Sequence, residues 1–171
     1  MAYAVVRTDR MTGTTDSARL VTVKYFDGEN NPAPIENGTW VKLDGLVEGE
    51  REVFKATAPA KDTPITEMAL IANPEVMYDE RKKNLDEYIN EADTLIRAYL
   101  PVNMNIYSVT AEAFSNAEPD DIAVGQTVEL TADSEKPTVV ASPTADTTTI
   151  GEIIEIEQTR RYKYYAVLIK A

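Results

Sequence analysis

The alternation of hydrophobic and polar positions in the first half of the chain predicts short β-strands. Residues 19–26 are dense in β-branched and aromatic side chains and are followed by the turn pair Asp27-Gly28, a pattern typical of a strand that ends in a turn. Residues 29–38 contain two prolines and three asparagines, which indicates a loop. Three further short strands are predicted, at residues 5–6, 39–43 and 52–57.

Residues 79–99 have the spacing of an amphipathic helix. Asp79 is suited to cap its first turn, and Pro101 prevents its continuation. The sequence therefore predicts one long helix that packs an apolar stripe against a sheet. The stripe consists of apolar side chains that recur every three or four residues, namely Leu85, Tyr88, Ile89, Ala92, Leu95, Ile96 and Tyr99.

The last third of the chain returns to strand-like patterns. Residues 165–169 are almost continuously apolar, which predicts a strand in the centre of a small barrel or sandwich. Three more strands are predicted, at residues 105–109, 127–131 and 138–141.

Residues 154–164 predict a hairpin whose register follows from its side chains. A loop with an odd number of residues places Glu157 opposite Arg161, and it places Ile156 opposite Tyr162. Because both charge pairing and apolar pairing favour this arrangement, we expect the odd-numbered loop.

Together these elements predict a predominantly β chain of the α+β class, with small barrel-like or sandwich-like sheets and one long helix. A length of 171 residues suits one medium domain or two small ones. We expect a β-rich module at residues 1–100 that ends in the helix, and a small β-barrel-like module at residues 101–171. A single domain is the alternative, because the boundary near Pro101 is not sharply marked.

Charge and composition exclude several classes of function. The chain has 17 basic and 29 acidic residues, a net charge of -12, and neither histidine nor cysteine. Because a protein with this net negative charge repels phosphate backbones, a nucleic-acid partner is not expected. Without histidine or cysteine, no Ser-His or Cys-His arrangement and no thiolate metal site is possible.

No sequence motif indicates an enzyme, a cofactor or a metal ion. No serine lies in a Gly-x-Ser-x-Gly elbow, and no glycine-rich phosphate loop is present. Asp120 and Asp121 lack the spacing of a calcium-binding loop. An enzyme that uses two of the many carboxylates stays an open alternative, because any two of them can meet in the folded chain.

The chain begins without the features of a leader. Arg7, Asp9 and Arg10 interrupt the N-terminal apolar residues too early for a secretory signal, and no run approaches the roughly 18 apolar residues of a membrane span. We therefore expect synthesis in a cytoplasm and no membrane partner.

Three stretches taken together carry a resemblance to a known group of proteins. Residues 2–8, 46–53 and 74–88 resemble small accessory proteins encoded among the head genes of tailed bacteriophages of Gram-positive hosts. Those proteins are regarded as capsid decoration, or cement, proteins. The stretches 124–130 and 151–153, with the tyrosine-rich last strand, are similar to small β-barrels of phage structural proteins.

This resemblance implies a non-enzymatic structural protein of the virion that decorates and stabilises the outside of the capsid. The implied partner is the major capsid protein, and a homo-oligomer is expected, with a trimer favoured at a threefold or quasi-threefold position. No cofactor is implied. A module that binds a carbohydrate or protein surface for adhesion, with or without calcium, is the alternative.

The N-terminal segment up to Ser17 is interpreted in two ways. It is an arm that adds a strand to a capsid sheet edge, or it is an ordinary first strand and loop of its own sheet. Trp40 is most simply a core or subunit contact, since it lies beside Val41 and Leu43. Five residues are the candidate capsid contacts: Tyr3, Val5, Arg7, Arg10 and Trp40.

Overall fold

A computed structural model of the protein describes residues 2–116 and 118–171. The chain is mostly β, with 38% of its residues in strands and 9% in helical turns. The described strands are β1 (Leu20–Tyr25), β2 (Trp40–Leu46), β3 (Val53–Thr57), β4 (Met68–Ile71), β5 (Ile96–Tyr99), β6 (Ile106–Val109), β7 (Thr127–Thr131), β8 (Ser134–Val140), β9 (Thr149–Gln158) and β10 (Lys163–Ile169). The described helical turns are of the 3₁₀ type, at Thr8–Arg10, Ser17–Arg19, Ile65–Glu67, Leu85–Glu87 and Ala111–Ala113.

The first five strands form a closed barrel in the order β1-β3-β2-β4-β5. The β1–β3 pair is parallel, whereas the other pairs are antiparallel. Pairing of β5 with β1 closes the barrel and places Ile96 opposite Val23. The barrel interior is apolar and consists of Val23, Tyr25, Ile35, Val41, Ala56, Ala69, Ile71, Ile96 and Ala98.

The last five strands form an open antiparallel sheet in the order β6-β10-β9-β7-β8. This sheet and the barrel share a second apolar core, in which the Trp40 indole nitrogen donates to the Tyr107 hydroxyl at 3.2 Å. The two rings meet edge to face with centroids 5.6 Å apart. The closed barrel therefore lies within residues 20–99, whereas the expected barrel-like part at residues 101–171 is an open sheet. The division of the chain into two modules stays a prediction.

Most of the predicted strands are confirmed. The final apolar run forms β10, which lies inside the sheet between β6 and β9. The pattern at residues 5–6 forms only an isolated bridge from Val6 to Val109, and β4 was not predicted. The confirmed strands are β1, β2, β3, β6, β7 and the second half of β8.

The predicted long helix at residues 79–99 is wrong. The described residues contain no helix of seven or more residues. This part of the chain instead contains the turn Leu85–Glu87, an isolated bridge between Asn90 and Ile35, and strand β5.

Tertiary pairing explains why the helical periodicity failed. Strand β5 pairs with both β1 and β4, and these pairings close the barrel. Leu85 and Leu95 were assigned to a buried stripe, yet their exposed fractions are 40% and 57%. Burial of Ile96 and Ala98 inside the barrel outweighs the weak local preference for a helix.

The predicted register of the last hairpin is also wrong. The loop between β9 and β10 has four residues, and Tyr165 lies opposite Ile156. Thr159 closes this loop, because its hydroxyl accepts from the Tyr162 amide at 3.0 Å and its amide donates to the Tyr162 carbonyl at 2.9 Å. The Tyr162 hydroxyl in turn donates to Asp86 at 3.0 Å. The hydrogen bonds between Thr159 and Tyr162 and from Tyr162 to Asp86 outweigh the expected pairing of Glu157 with Arg161.

The N-terminal segment belongs to the fold and is not a free arm. The Arg7 amide donates to the Ser108 carbonyl at 2.9 Å, and the Thr110 amide donates to the Val5 carbonyl at 3.1 Å. These bonds cover the outer edge of β6, so this edge does not expose a full row of unpaired backbone groups. The segment also contributes buried side chains to the core, at Ala4, Val5, Val6 and Met11.

The opposite edge of the sheet, strand β8, is covered by a side chain. The Asn116 amide group donates to the Val139 carbonyl at 2.9 Å and accepts from the Val139 amide at 3.0 Å. The Ser115 amide donates to the Pro137 carbonyl at 2.9 Å. Because β6 and β8 are both covered by these contacts, strand addition at these edges is disfavoured.

Candidate protein-binding surface

The longest described connection between strands joins β4 to β5 and is called here the 72–95 loop. It crosses the outside of the barrel with only one 3₁₀ turn, Leu85–Glu87. Connections of this length without regular structure are uncommon in compact domains and are usually either functional or disordered linkers.

Three asparagines fix the base of the 72–95 loop. The buried Asn90 amide donates to the Ile35 carbonyl at 3.0 Å and to Oδ1 of Asn37 at 3.1 Å. The Asn37 amide donates to the Asn73 carbonyl at 2.9 Å, and the Tyr88 hydroxyl donates to Asn90 Oδ1 at 3.0 Å. A polar network that is fully hydrogen-bonded is rigid, so the loop is preorganised.

Glu75 extends this network towards the surface. Its Oε1 accepts from the Asn37 amide at 3.2 Å, and burial of the side chain raises the pKa of Glu75. Throughout residues 2–116 and 118–171, every buried side-chain nitrogen and oxygen has a hydrogen-bond partner. The network is therefore satisfied internally and does not need a bound ligand.

Asp86 fixes the middle of the 72–95 loop. Its carboxylate accepts from the Tyr162 hydroxyl at 3.0 Å and lies 3.7 Å from the Arg161 guanidinium. Its carbonyl accepts from the Tyr3 amide at 2.8 Å. The N-terminus, the β9–β10 hairpin and the loop therefore meet at this residue.

On either side of these fixed points, the loop exposes large apolar side chains. Val76 is 58% exposed, Tyr78 is 94% exposed and Leu95 is 57% exposed. They border a groove of about 450 Å³, together with Pro74, Tyr88 and Ile89. Exposed apolar surfaces on a rigid scaffold are characteristic of protein-interaction sites.

Two of the predicted contact residues are buried in the protein itself. Val5 in the N-terminal segment is 1% exposed, and Trp40 is fully buried in the core that the barrel and the sheet share. Neither side chain lies at the surface. The interpretation of Trp40 as a core residue is therefore confirmed, whereas its selection as a candidate contact is not supported.

The two predicted arginines lie at the surface beside the hairpin. The Arg7 guanidinium contacts Asp9 at 2.6 Å and Glu157 at 3.0 Å, and it lies 5.4 Å from the Tyr164 ring centre. Its hydrogen bond to Asp9 raises the pKa of Arg7 and lowers that of Asp9. Arg10 is more exposed and lies 3.3 Å from Glu157.

The predicted contact Tyr3 touches the 72–95 loop, because its amide donates a hydrogen bond to the Asp86 carbonyl. Sequence reasoning did not identify Val76, Tyr78 or Leu95 as surface contacts. The Asn73-Pro74 pair is a loop signal that pointed towards this segment. Leu95 was missed because its spacing matched the expected helix.

The carboxylates do not form a recognisable metal centre in the described part of the chain. There, no group of three or more acidic side chains is arranged to hold a metal ion. The Asp120 carboxylate is fully exposed and lies 3.6 Å from the Lys163 amine. None of the helical segments in residues 2–116 and 118–171 has the length and apolar character needed to cross a bilayer.

Comparison with known proteins adds no relative to this description: no protein-family model, curated protein or solved structure matches the chain.

Proposed function

We propose that the protein is a non-enzymatic structural component of a tailed-phage virion that binds capsomers on the outside of the capsid. The observation that supports binding is the exposure of Val76, Tyr78 and Leu95 on a loop that is held by hydrogen bonds at Asn90 and Asp86. The identity of the partner rests on the sequence resemblance to capsid decoration proteins.

The rigidity of the 72–95 loop favours binding. A loop that is already ordered loses little conformational entropy when a partner covers it. A tyrosine such as Tyr78 supplies a large contact area with few rotatable bonds and is a frequent energetic centre of interfaces.

On a capsid, a modest affinity at each single contact is sufficient for stable attachment. A capsid presents many identical sites, and linked copies of the protein bind neighbouring sites with a high effective concentration. We propose a trimer at a threefold or quasi-threefold position, because closed rotational symmetry matches such a lattice.

Co-sedimentation with capsids assembled without this protein tests the proposal. The wild-type protein is expected to saturate the capsids at a fixed ratio per capsomer. The variant Tyr78→Ser/Leu95→Ser removes apolar contacts and should bind at least about tenfold more weakly, which corresponds to roughly 1.4 kcal/mol.

The control is Met104→Ser/Val124→Ser, which changes two large apolar residues that are exposed elsewhere on the surface, at 65% and 59%. It should bind capsids as the wild type does. Absence of wild-type binding would overturn the capsid assignment, and equal losses in the two variants would overturn the assignment of the 72–95 loop.

An adhesion module is the second candidate, because the nearly fully exposed Tyr78 ring also suits a sugar or a cell-surface protein. Co-sedimentation with isolated bacterial cell walls separates the two candidates. Binding to cell walls that Tyr78→Ser abolishes, without binding to capsids, would favour adhesion.

A further inference from the structure

Five basic residues gather near the middle of the 72–95 loop and are called here the basic edge. Three of them follow one another in the loop, and two lie in the β9–β10 hairpin. They are Arg81, Lys82, Lys83, Arg160 and Arg161.

Tertiary contacts bring the two basic runs together. Arg161 approaches Asp86 to 3.7 Å, and the neighbouring Tyr162 hydroxyl donates to the same carboxylate. The Asn84 and Lys83 amides lower the pKa of Glu87, with smaller contributions from the nearby charges of Arg161 and Lys82. The Lys83 amide donates to the Glu87 carboxylate at 2.8 Å, so the first basic run lies beside the Asp86 that Arg161 approaches, although 77 residues of chain separate Lys83 from Arg161.

Most of this positive charge is open to solvent. Lys82, Lys83 and Arg160 are exposed, and none forms a salt bridge with any residue that the structure describes. Arg81 pairs only with its neighbour Asp79, at 2.8 Å, and its side chain is 90% exposed. The same region also holds four acidic residues, Asp79, Glu80, Asp86 and Glu87, of which Asp79 pairs with Arg81 and Asp86 with Arg161. The basic side chains of the edge without a described ion pair are therefore Lys82, Lys83 and Arg160.

The basic edge is continuous with the exposed apolar surface. Tyr78 precedes Arg81 by three residues, and Leu85, which is 40% exposed, follows Lys83 by two. Interfaces commonly combine an apolar centre with a charged rim, and the rim determines orientation and association rate. The basic edge has the position of such a rim.

We propose that the basic edge binds an acidic protein surface that borders an apolar patch, so that the apolar groove and the rim dock together. This inference rests on the proposed function and specifies the chemistry of the capsomer surface. A protein is favoured over a nucleic acid because the acidic body repels a long polyanion that extends past the basic edge. A compact acidic patch on a protein contacts only the basic edge and does not extend over the acidic remainder of the molecule.

Binding of fluorescently labelled poly-L-glutamate, measured by anisotropy, tests the basic edge without a capsid. The variant is Lys82→Glu/Lys83→Glu/Arg160→Glu, whose three side chains have no described ion pair, so its fold should persist. Arg51→Glu/Lys61→Glu is the matched control, because both residues are exposed and likewise lack a salt bridge among the described residues.

At about 50 mM salt we expect the triple variant to bind poly-L-glutamate at least about tenfold more weakly than the wild type and the control. At about 0.5 M salt the difference should disappear, because screening shortens the range of exposed charges. Equal binding by the wild type and the triple variant would overturn the inference. Tighter binding of single-stranded DNA than of poly-L-glutamate would overturn the choice of a protein partner.

Repeating the comparison with capsids separates this inference from the proposed function. Capsid binding by wild type and triple variant alike would overturn the basic edge and leave the proposed function intact. If no variant binds capsids, the proposed function fails, and the poly-L-glutamate result still decides whether the edge recognises acidic protein chains.

Discussion

Asn90 donates a hydrogen bond to Asn37 Oδ1 at 3.1 Å beneath the 72–95 loop, and both side chains are buried. The same Asn90 amide also donates to the Ile35 carbonyl. The Asn90 side chain thus joins the 72–95 loop to the residues that precede β2. It holds in place a segment that has almost no regular structure.

Replacing Asn90 should therefore destabilise the protein. Asn90→Ala leaves buried partners without their hydrogen bonds, and we expect a loss of about 1–3 kcal/mol in the free energy of unfolding, measured in urea. Asn31→Ala is the control, because Asn31 is exposed, and its loss should stay below about 0.5 kcal/mol. Similar losses in both variants would show that the network does not stabilise the fold.

Ile96 and Leu85, which were both assigned to the buried stripe of the predicted helix, should differ in their contribution to the free energy of unfolding. Ile96→Ala removes a side chain from the barrel interior and should cost about 2–5 kcal/mol. Leu85→Ala should cost less than about 1 kcal/mol, because Leu85 is 40% exposed. Thermal unfolding of the two variants measures the difference, and a larger loss for Leu85→Ala would restore a packed stripe.

The contact between Trp40 and Tyr107 should couple the barrel to the second sheet. Tyr107→Phe leaves the buried Trp40 N–H without its acceptor and should cost about 1–3 kcal/mol. In a double-mutant cycle with Trp40→Phe, we expect a coupling energy of about 1 kcal/mol. The free energy of unfolding of each variant is measured in urea by circular dichroism. Strictly additive losses would mean that this hydrogen bond does not contribute.

The N-terminal segment should contribute to stability in the absence of any partner. Val5→Ala removes part of a fully buried side chain and should cost about 2 kcal/mol. Val124→Ala, at a valine that is 59% exposed, is the matched control and should change the melting temperature little. An unchanged melting temperature for Val5→Ala would favour the free-arm interpretation.

Alkaline pH should destabilise the protein in part through Tyr25. Burial, and then the nearby Glu135 and Asp27 carboxylates, raise the pKa of Tyr25 from 10.0 to about 12. Because the unfolded chain loses this proton first, the stabilising contribution is complete below pH 10 and is lost as the pH rises towards 12. Urea unfolding between pH 9 and 12 should show a flatter profile for Tyr25→Phe than for the wild type.

The sequence by itself determined most of the strands, because their signal is local. Strands β1, β3 and β7 are short runs of β-branched, aromatic or alternating residues bounded by turns, and their positions were predicted closely. Composition likewise determined the net charge and the exclusion of histidine and cysteine chemistry. None of these properties depends on contacts between distant residues.

Only the tertiary structure decided what the 72–95 loop is. Residues at helical spacing are equally compatible with a chain that turns at Leu85, pairs with Ile35 through Asn90 and enters the barrel at Ile96. The choice depends on contacts across the fold, which outweigh local preferences of a few tenths of a kcal/mol per residue. The basic edge arises in the same way, because only folding brings Arg161 to the loop residues Asp86 and Glu87 that follow the basic run.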